Sequence, residues 1–403
     1  MTLTTHSKMA RPVSRRAVLG GAAAAAAVGT LNAPFVLAQP ARLKIGLMLP
    51  YSGTFAALGN NITDAMLLAI NEKGGKLGGR EVQWVRLDDE SEPSKAAQNA
   101  NKLIVGEKVD ILVGTVHSGV AAAMVQVARE ENATLIIPNA GVGAATGALC
   151  APNIFRTSFS NWQPAYAMGK VAGERKHQNV VTITWKYAAG EESVQGFKDG
   201  LAAGGGKVSK EIWIPFPNDE FQAHLTEIAS LRPDAVYTFY AGGGAVKFVK
   251  DWEAAGLKGR VPLYGPGFLT DGVLRAQGAA AEGLETTLHY VEDLPNPVNQ
   301  RFKADFKKTT NRDVDVYAVQ GYDTGQLLVQ GLEAVKGNAG AKREFYAAMK
   351  AAKIDSPRGP WTLSKSQNPV QDFYLRKVVS GENKFQSVAV KGLEDPSTGC
   401  RMA

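Results

Sequence analysis

Cysteine is nearly absent: Cys150 and Cys400 are the only two in 403 residues, and they form no CxxC pair. A dithiol redox motif and a thiolate zinc site are thereby excluded. The five histidines, His6, His117, His177, His224 and His289, fall at no metal-ligand spacing, and no HExxH occurs, so no metal is expected. No serine stands in a GxSxG elbow, and the adjacency of His117 and Ser118 does not make a nucleophile and its base. No catalytic residue is therefore assigned. Runs of like charge and basic patches interleaved with aromatics are missing too, which argues against nucleic acid as a partner. The stretch Gly141-Val142-Gly143-Ala144-Ala145-Thr146-Gly147 reads GxGxxxG, not the dinucleotide spacing, and lies about 100 residues past the first strand, so no cofactor is expected. Asp88-Asp89-Glu90 reads as a solvated loop or a helix cap rather than a cation site.

No long hydrophobic run is present either. The apolar stretch over 17–28 is short, rich in alanine and well under the ~20 residues of a membrane span. With basic residues before it and the small-residue exit Val36-Leu37-Ala38 after it, residues 1–38 read as an export signal cleaved near Ala38, and are set aside from the fold. Ser14-Arg15-Arg16-Ala17-Val18-Leu19 resembles the bacterial twin-arginine signal; a general secretory signal and an uncleaved anchor are the alternatives. The signal holds four of the 45 basic residues and none of the 38 acidic ones, so the remaining chain carries a net charge of only +3. No cysteine near the exit suggests a lipid anchor. In an oxidising periplasm Cys150 and Cys400 can bridge, tying the C-terminal tail to mid-chain; two free thiols are the other possibility.

Apolar residues make up 45% of the chain, enough for a sizeable core. Leu43, Ile45, Leu47 and Leu49 alternate as in a strand, ahead of the turn Pro50-Tyr51-Ser52-Gly53. Helices are predicted over 61–72, 93–107 and 118–131, with strands over 82–87, 109–114 and 134–138. A similar series follows: helices over 164–176, 191–203, 221–231 and 245–255 alternate with strands over 180–185, 208–214 and 235–240. Such alternation implies an α/β architecture of parallel, doubly wound sheets with right-handed crossovers. Residues 141–161, rich in Gly, Ala, Asn and Ser, suit a crossover between two lobes. Beyond residue 285 the pattern changes to helices over 299–309, 316–335 and 341–352, then a late strand over 373–379.

The phrases Ile45-Gly46-Leu47-Met48-Leu49-Pro50-Tyr51-Ser52-Gly53, Asn71-Glu72-Lys73-Gly74-Gly75, Leu112-Val113-Gly114 with His117-Ser118, Ile136-Ile137-Pro138-Asn139-Ala140 and Phe155-Arg156-Thr157 occur in this order from residue 42 onward. Together they resemble the type I periplasmic binding proteins of the branched-chain amino acid ABC transporter family. The resemblance implies two doubly wound lobes joined by a hinge, with the ligand in the cleft between them. It divides the chain into 39–158 plus 288–365 for lobe 1 and 159–287 plus 366–403 for lobe 2. It also implies a monomer that works in the periplasm with permease subunits in the inner membrane.

By the same resemblance, the ligand's carboxylate falls to Ser118 with the Gly119, Val120 and Ala121 amides, and to Asn139, Ala140 and Gly141. Physical chemistry agrees, since a helix N-terminus offers free N–H groups to an anion. A plain N-cap is the alternative role for Ser118. Tyr51, in the turn after the first strand, joins the candidates. From the second lobe, Tyr187 matches a family position, and Tyr240 and Tyr264 sit just past strand ends. Amino-acid binders of the family carry an acidic residue after this last strand, to pair with the ligand's ammonium. Here Tyr264-Gly265-Pro266-Gly267-Phe268-Leu269 puts Gly267 and Phe268 in its place. An ammonium enclosed without a carboxylate would be costly. A carboxylate lacking an amine, with ring bulk against Phe268, Tyr187 and Tyr240, is therefore expected. The phrase His117-Ser118-Gly119-Val120-Ala121 also looks like the aromatic-acid branch, which points to benzoate or hydroxybenzoate. A branched-chain amino acid or short amide ligand, a periplasmic sensory receptor and an α/β enzyme on this scaffold are the alternatives.

Overall fold

Strand β1 (Leu43–Leu49) carries out the alternation in its sequence: Leu43, Ile45 and Leu47 pack on one face of a sheet and Met48 on the other. In this computed structural model residues 42–402 are described, together with Thr2; the expected export signal lies outside the described residues. Strands β2 (Val82–Asp88), β3 (Ile111–Gly114), β4 (Thr134–Ile137) and β5 (Ile154–Arg156) join β1 in the order β2-β1-β3-β4-β5, all parallel. Every residue of β3 and β4 is buried, as expected for strands covered on both faces.

Helices α1 (Ala56–Asn71), α2 (Pro93–Asn101) and α3 (Ser118–Glu130) supply part of that cover. Ala96 and Ala100 of α2 pack with Val120 and Met124 of α3 on Met48, Leu112 and Leu135. Met66 and Ile70 of α1 cover the other face, and two helices far along the chain complete it.

The second sheet repeats the plan. Helix α4 (Trp162–Glu174) leads into β6 (Asn179–Lys186), α5 (Ala188–Ala202), β7 (Lys207–Pro215), α6 (Gln222–Leu231), β8 (Ala235–Phe239), α7 (Gly242–Ala254), β9 (Leu263–Pro266), the short α8 (Leu274–Gln277) and β10 (Glu285–Leu288). These strands run parallel in the order β10-β9-β8-β6-β7. The chain then returns to the first sheet through α9 (Pro297–Thr310), α10 (Val316–Ala334) and α11 (Lys342–Lys350), where Leu327, Leu332, Phe345 and Met349 join Met66 and Ile70. Helix α10 crosses α1 at two glycines. A Cβ on Gly321 would stand 2.2 Å from the Ile62 carbonyl oxygen, and one on Gly325 2.6 Å from that of Met66, so these backbones meet only without side chains.

Strands β11 (Thr362–Leu363), β12 (Pro369–Val379) and β13 (Glu382–Leu393) finish on the second sheet, β12 antiparallel to β10, and β11 and β13 antiparallel to β12. The turn Ser380-Gly381 has φ of 53° and 76°, the pair of positive values that lets a two-residue loop follow strand twist. Of this hairpin the sequence reveals only the first strand: β13 is largely exposed and its polar residues hide the alternation. The stretch 141–161, read as a crossover, contains the three-residue β5, and the passage between the sheets follows it.

Buried polar groups bind the passages together. Arg358 donates to the Thr157 and Ser158 carbonyls at 2.7 and 3.2 Å and pairs with Asp323 at 3.1 Å. Cys150 and Cys400 form a disulfide with a Cα–Cα distance of 5.5 Å, which fixes the tail beyond β13 to the loop before β5.

Candidate functional site

Parallel strands end where their helices begin, and both sheets point these ends at one cavity. The first-lobe wall carries Ser118 at the start of α3, Asn139 and Gly141 after β4, and the apolar Phe55, Leu58 and Val116. The second-lobe wall carries Tyr187 and Ala189 after β6, Phe239 and Ala241 at the end of β8, and Phe268 after β9. Phe159 and Asn161 from the passage before α4, and Tyr317 of α10, complete the lining. Among the described residues, no Asp, Glu, Lys, Arg or His lines the cavity.

The rings form a connected wall. Phe159 and Phe268 lie 4.7 Å apart between centroids, Phe268 and Tyr317 6.1 Å, Phe239 and Phe268 6.3 Å, and Tyr187 and Phe239 6.2 Å. Tyr187 also stacks on His117 at 4.7 Å and 20°, so the starts of α5 and α3 touch across the two lobes.

The polar groups have defined orientations. Asn161 Nδ2 donates to Ser118 Oγ at 3.1 Å, and the Asn161 amide donates to the Gly141 carbonyl at 2.7 Å. A Cβ on Gly141 would stand 2.3 Å from Asn161 Oδ1, which explains the glycine. Asn139 Nδ2 donates to Gln320 Oε1 at 2.7 Å, with His289 Nε2 next to Gln320 Nε2 at 3.1 Å. Tyr317 is buried, and its hydroxyl has no protein partner among the described residues. Beneath the loop after β4 lies the fully buried Arg156, which donates to the Ala140 and Val142 carbonyls at 3.3 and 2.8 Å and to Asn368 Oδ1 at 2.7 Å. Burial pulls its guanidinium down to about 10, still protonated at neutral pH. With these carbonyls turned toward Arg156, the Gly141 amide between them has no protein acceptor among the described residues, and neither has that of Ser118. An uncharged cavity with a hydroxyl, free amides and a buried cation behind them is suited to a small anion.

One expectation needs correcting here. The Gly119, Val120 and Ala121 amides are not open to a ligand: His117 Nδ1 accepts from Gly119 and Val120 at 3.1 and 3.4 Å, and the His117 carbonyl accepts from Ala121 at 3.0 Å. His117, not Ser118, is the N-cap of α3, and burial pushes its imidazole down to about 4, so it is neutral. Three further candidates lie away from the cavity. Tyr51 bonds Thr63 Oγ1 at 2.9 Å, and its amide donates to Asp88 at 2.8 Å. The Tyr240 ring points into the second-lobe core against Trp185, Phe221 and Phe248. Tyr264 lies near the beginning of β9 and bonds Arg175 and His177 at 2.9 and 3.1 Å. Ala140 is buried behind the wall, its amide donating to the Thr115 carbonyl at 2.9 Å. In the acidic run, Asp89 is not solvated: it is buried, bonded to Thr115 and the Ser91 amide, and pushed up to about 6 by that burial.

Ser118, Asn139, Gly141, Tyr187 and Phe268 are thus brought together. Sequence reading missed Phe55, Phe159, Asn161, Phe239 and Tyr317, and with them the small apolar residues Leu58, Val116, Ala189 and Ala241. Asn161 precedes a helix start, a legible signal; the aromatics carry none beyond their type.

The sequence profile of a family described as "Periplasmic binding protein" matches residues 42–383. A solute-binding protein of an R. palustris ABC transporter, solved in complex with benzoate, is 52% identical, with 89% of this chain and 99% of that chain covered and a TM-score of 0.87. Another, from Rhodopseudomonas palustris BisB5 in complex with 3,4-dihydroxybenzoic acid, is 32% identical, covering 88% of this chain and 99% of that one, with a TM-score of 0.83. A Brucella melitensis protein named "Leu/Ile/Val-binding protein homolog 6" is 28% identical over 348 residues, 85% of this chain and 88% of the relative.

Proposed function

This chain belongs to the periplasmic binding protein family, and from that membership we propose that it is the solute receptor of an ABC importer, closing in the periplasm around an aromatic carboxylate of the benzoate or hydroxybenzoate kind. The observation that carries the reading is the cavity lining: hydrogen-bond donors on the first-lobe wall, aromatic rings on the other, and no carboxylate. A carboxylate ligand bonds the Ser118 hydroxyl and the Ser118 and Gly141 amides, with Arg156 behind the loop. Phe159, Phe268 and Phe239 enclose its ring, and Tyr187 closes over it from the second lobe. An ammonium would meet only rings, hydroxyls and amides, at a cost of several kcal/mol. The solved relatives in complex with benzoate and with 3,4-dihydroxybenzoic acid support this ligand class.

Closure is the mechanism: binding to the open lobes fixes the acid end, and burial of the ring then stabilises the closed shape presented to the permease. No bond is made or broken. The name of the Brucella relative favours a second reading, a branched-chain amino acid. A thermal-shift screen of refolded, ligand-free protein separates the two, because a ligand that binds only the native state raises its melting temperature. Stabilisation by benzoates is expected; stabilisation by leucine or valine alone would overturn the assignment.

A further inference from the structure

Glu192 does not line the cavity, yet its carboxylate ends a chain of hydrogen bonds that does. It sits in the first turns of α5, on the second lobe, largely buried, and accepts from the Gly143 amide of the first lobe at 2.9 and 3.0 Å and from Asn161 Nδ2 at 2.8 Å. The same Nδ2 group donates to Ser118 Oγ at 3.1 Å. An ionised carboxylate can only accept hydrogen bonds, so it fixes which end of the Asn161 carboxamide faces it. That end has two hydrogens, and the second takes a lone pair of Ser118 Oγ. The Ser118 hydroxyl hydrogen has no protein acceptor among the described residues, and Ser118 lines the cavity. Burial pushes the Glu192 carboxyl up, the hydrogen bonds from Asn161 and Gly143 and the Arg156 charge pull it down, and Asp395 pushes it up; its three hydrogen bonds all come from N–H donors, so it acts as an acceptor here.

We propose that Glu192 is a positioning residue: through Asn161 it holds Ser118 as a hydrogen-bond donor into the cavity, and so selects an anionic acceptor over a neutral group that also presents donors. This rests on the carboxylate reading above and deepens it. In Glu192→Gln the side chain can donate to Asn161 Oδ1, the carboxamide can turn over, and Ser118 Oγ can be left facing an acceptor. The Ser118 hydrogen is then drawn away from the ligand.

The test is calorimetric titration of the mature protein with benzoate and with benzamide, which keeps the ring and shape but exchanges one acceptor oxygen for a donor. Glu192→Gln is expected to lower benzoate affinity about tenfold while benzamide affinity holds or rises, so that the ratio of the two falls. On a Ser118→Ala background the same substitution is expected to have almost no effect, because its route to the ligand has been removed. Equal losses on both backgrounds, or equal losses for both ligands, would overturn the proposal and leave Glu192 as a contact between lobes. Should Glu192→Gln fail to fold, Asn161→Ala must produce the same fall in ratio; an unchanged ratio sinks the idea. A parent protein that binds leucine and neither ring compound overturns the aromatic-acid reading above, and with it the choice between benzoate and benzamide on which the proposal rests.

Discussion

Helix α3 of the first lobe and helix α5 of the second both begin at the C-terminal end of a parallel strand and both face the cavity, yet they present different chemistry. At α3 the residue before the helix is His117, whose imidazole caps two amides and leaves Ser118 to face the cavity. At α5 it is Tyr187, which caps nothing with its side chain and presents a ring. The same local geometry thus gives a donor wall in one lobe and an apolar wall in the other. On the proposed reading the donor wall selects a ligand that offers acceptors, such as a carboxylate. The ring wall discriminates by shape and by the absence of a carboxylate, since burying apolar surface rewards any ring that fits.

The comparison breaks most severely if the ring wall is given a charge. Phe268→Asp puts a carboxylate into the cavity and is expected to lower benzoate affinity by more than about a hundredfold, since an unpaired buried charge costs roughly 3–5 kcal/mol. Calorimetry that finds benzoate binding intact would show that Phe268 does not meet the ligand. Removing a donor from the opposite wall is milder. Ser118→Ala should weaken benzoate about 10- to 100-fold, the range for a hydrogen bond to a charged group, with little change in unliganded melting temperature. An unchanged dissociation constant would remove Ser118 from the site.

The smallest effect concerns the cap itself. Burial lowers the His117 imidazole from 6.5 to about 4. Between those values the unfolded chain binds more protons than the folded one, so this residue's contribution to stability is present above pH 6.5 and is lost as pH falls toward 4. Asp89, raised to about 6 by burial, acts in the opposite sense, so only the difference between parent and variant isolates the histidine. His117→Asn retains a capping side chain without titrating, and should lose about 2 kcal/mol less than the parent between pH 7 and pH 5 in denaturant melts. Parallel curves would mean that the imidazole is not buried as described.

How much of this was legible in the sequence differs between the walls. The alternation of Leu43, Ile45 and Leu47 and the buried run of β3 mark their strands plainly, and with them the loops that carry Ser118, Asn139 and Gly141. Legibility stopped at the cap: a helix start read as vacant is already occupied when the preceding residue is a histidine that turns back on its own amides. In the second lobe, Tyr187 and Phe268 follow strand ends and reach the cavity. Tyr264 does not, because β9 starts only after Pro262, which cannot donate to a ladder, and Tyr264 is left at the far end of the strand. Tyr240 follows a strand end too, but its ring turns inward, a choice between two sides that strand position does not decide. Phe159, Asn161 and Tyr317 reach the cavity from a passage between lobes and from a helix returning after more than a hundred residues, so tertiary topology alone assembles them.

The central claim is that the closed cavity takes a carboxylate and has no partner for an ammonium. The most direct measurement is a calorimetric comparison of leucine with 4-methylpentanoate, which is leucine without its amine, alongside benzoate and on one ligand-free preparation. The account predicts that benzoate binds tightest, 4-methylpentanoate measurably and leucine at least about a hundredfold more weakly than its amine-free counterpart. Leucine binding as tightly as 4-methylpentanoate, or tighter, would contradict it.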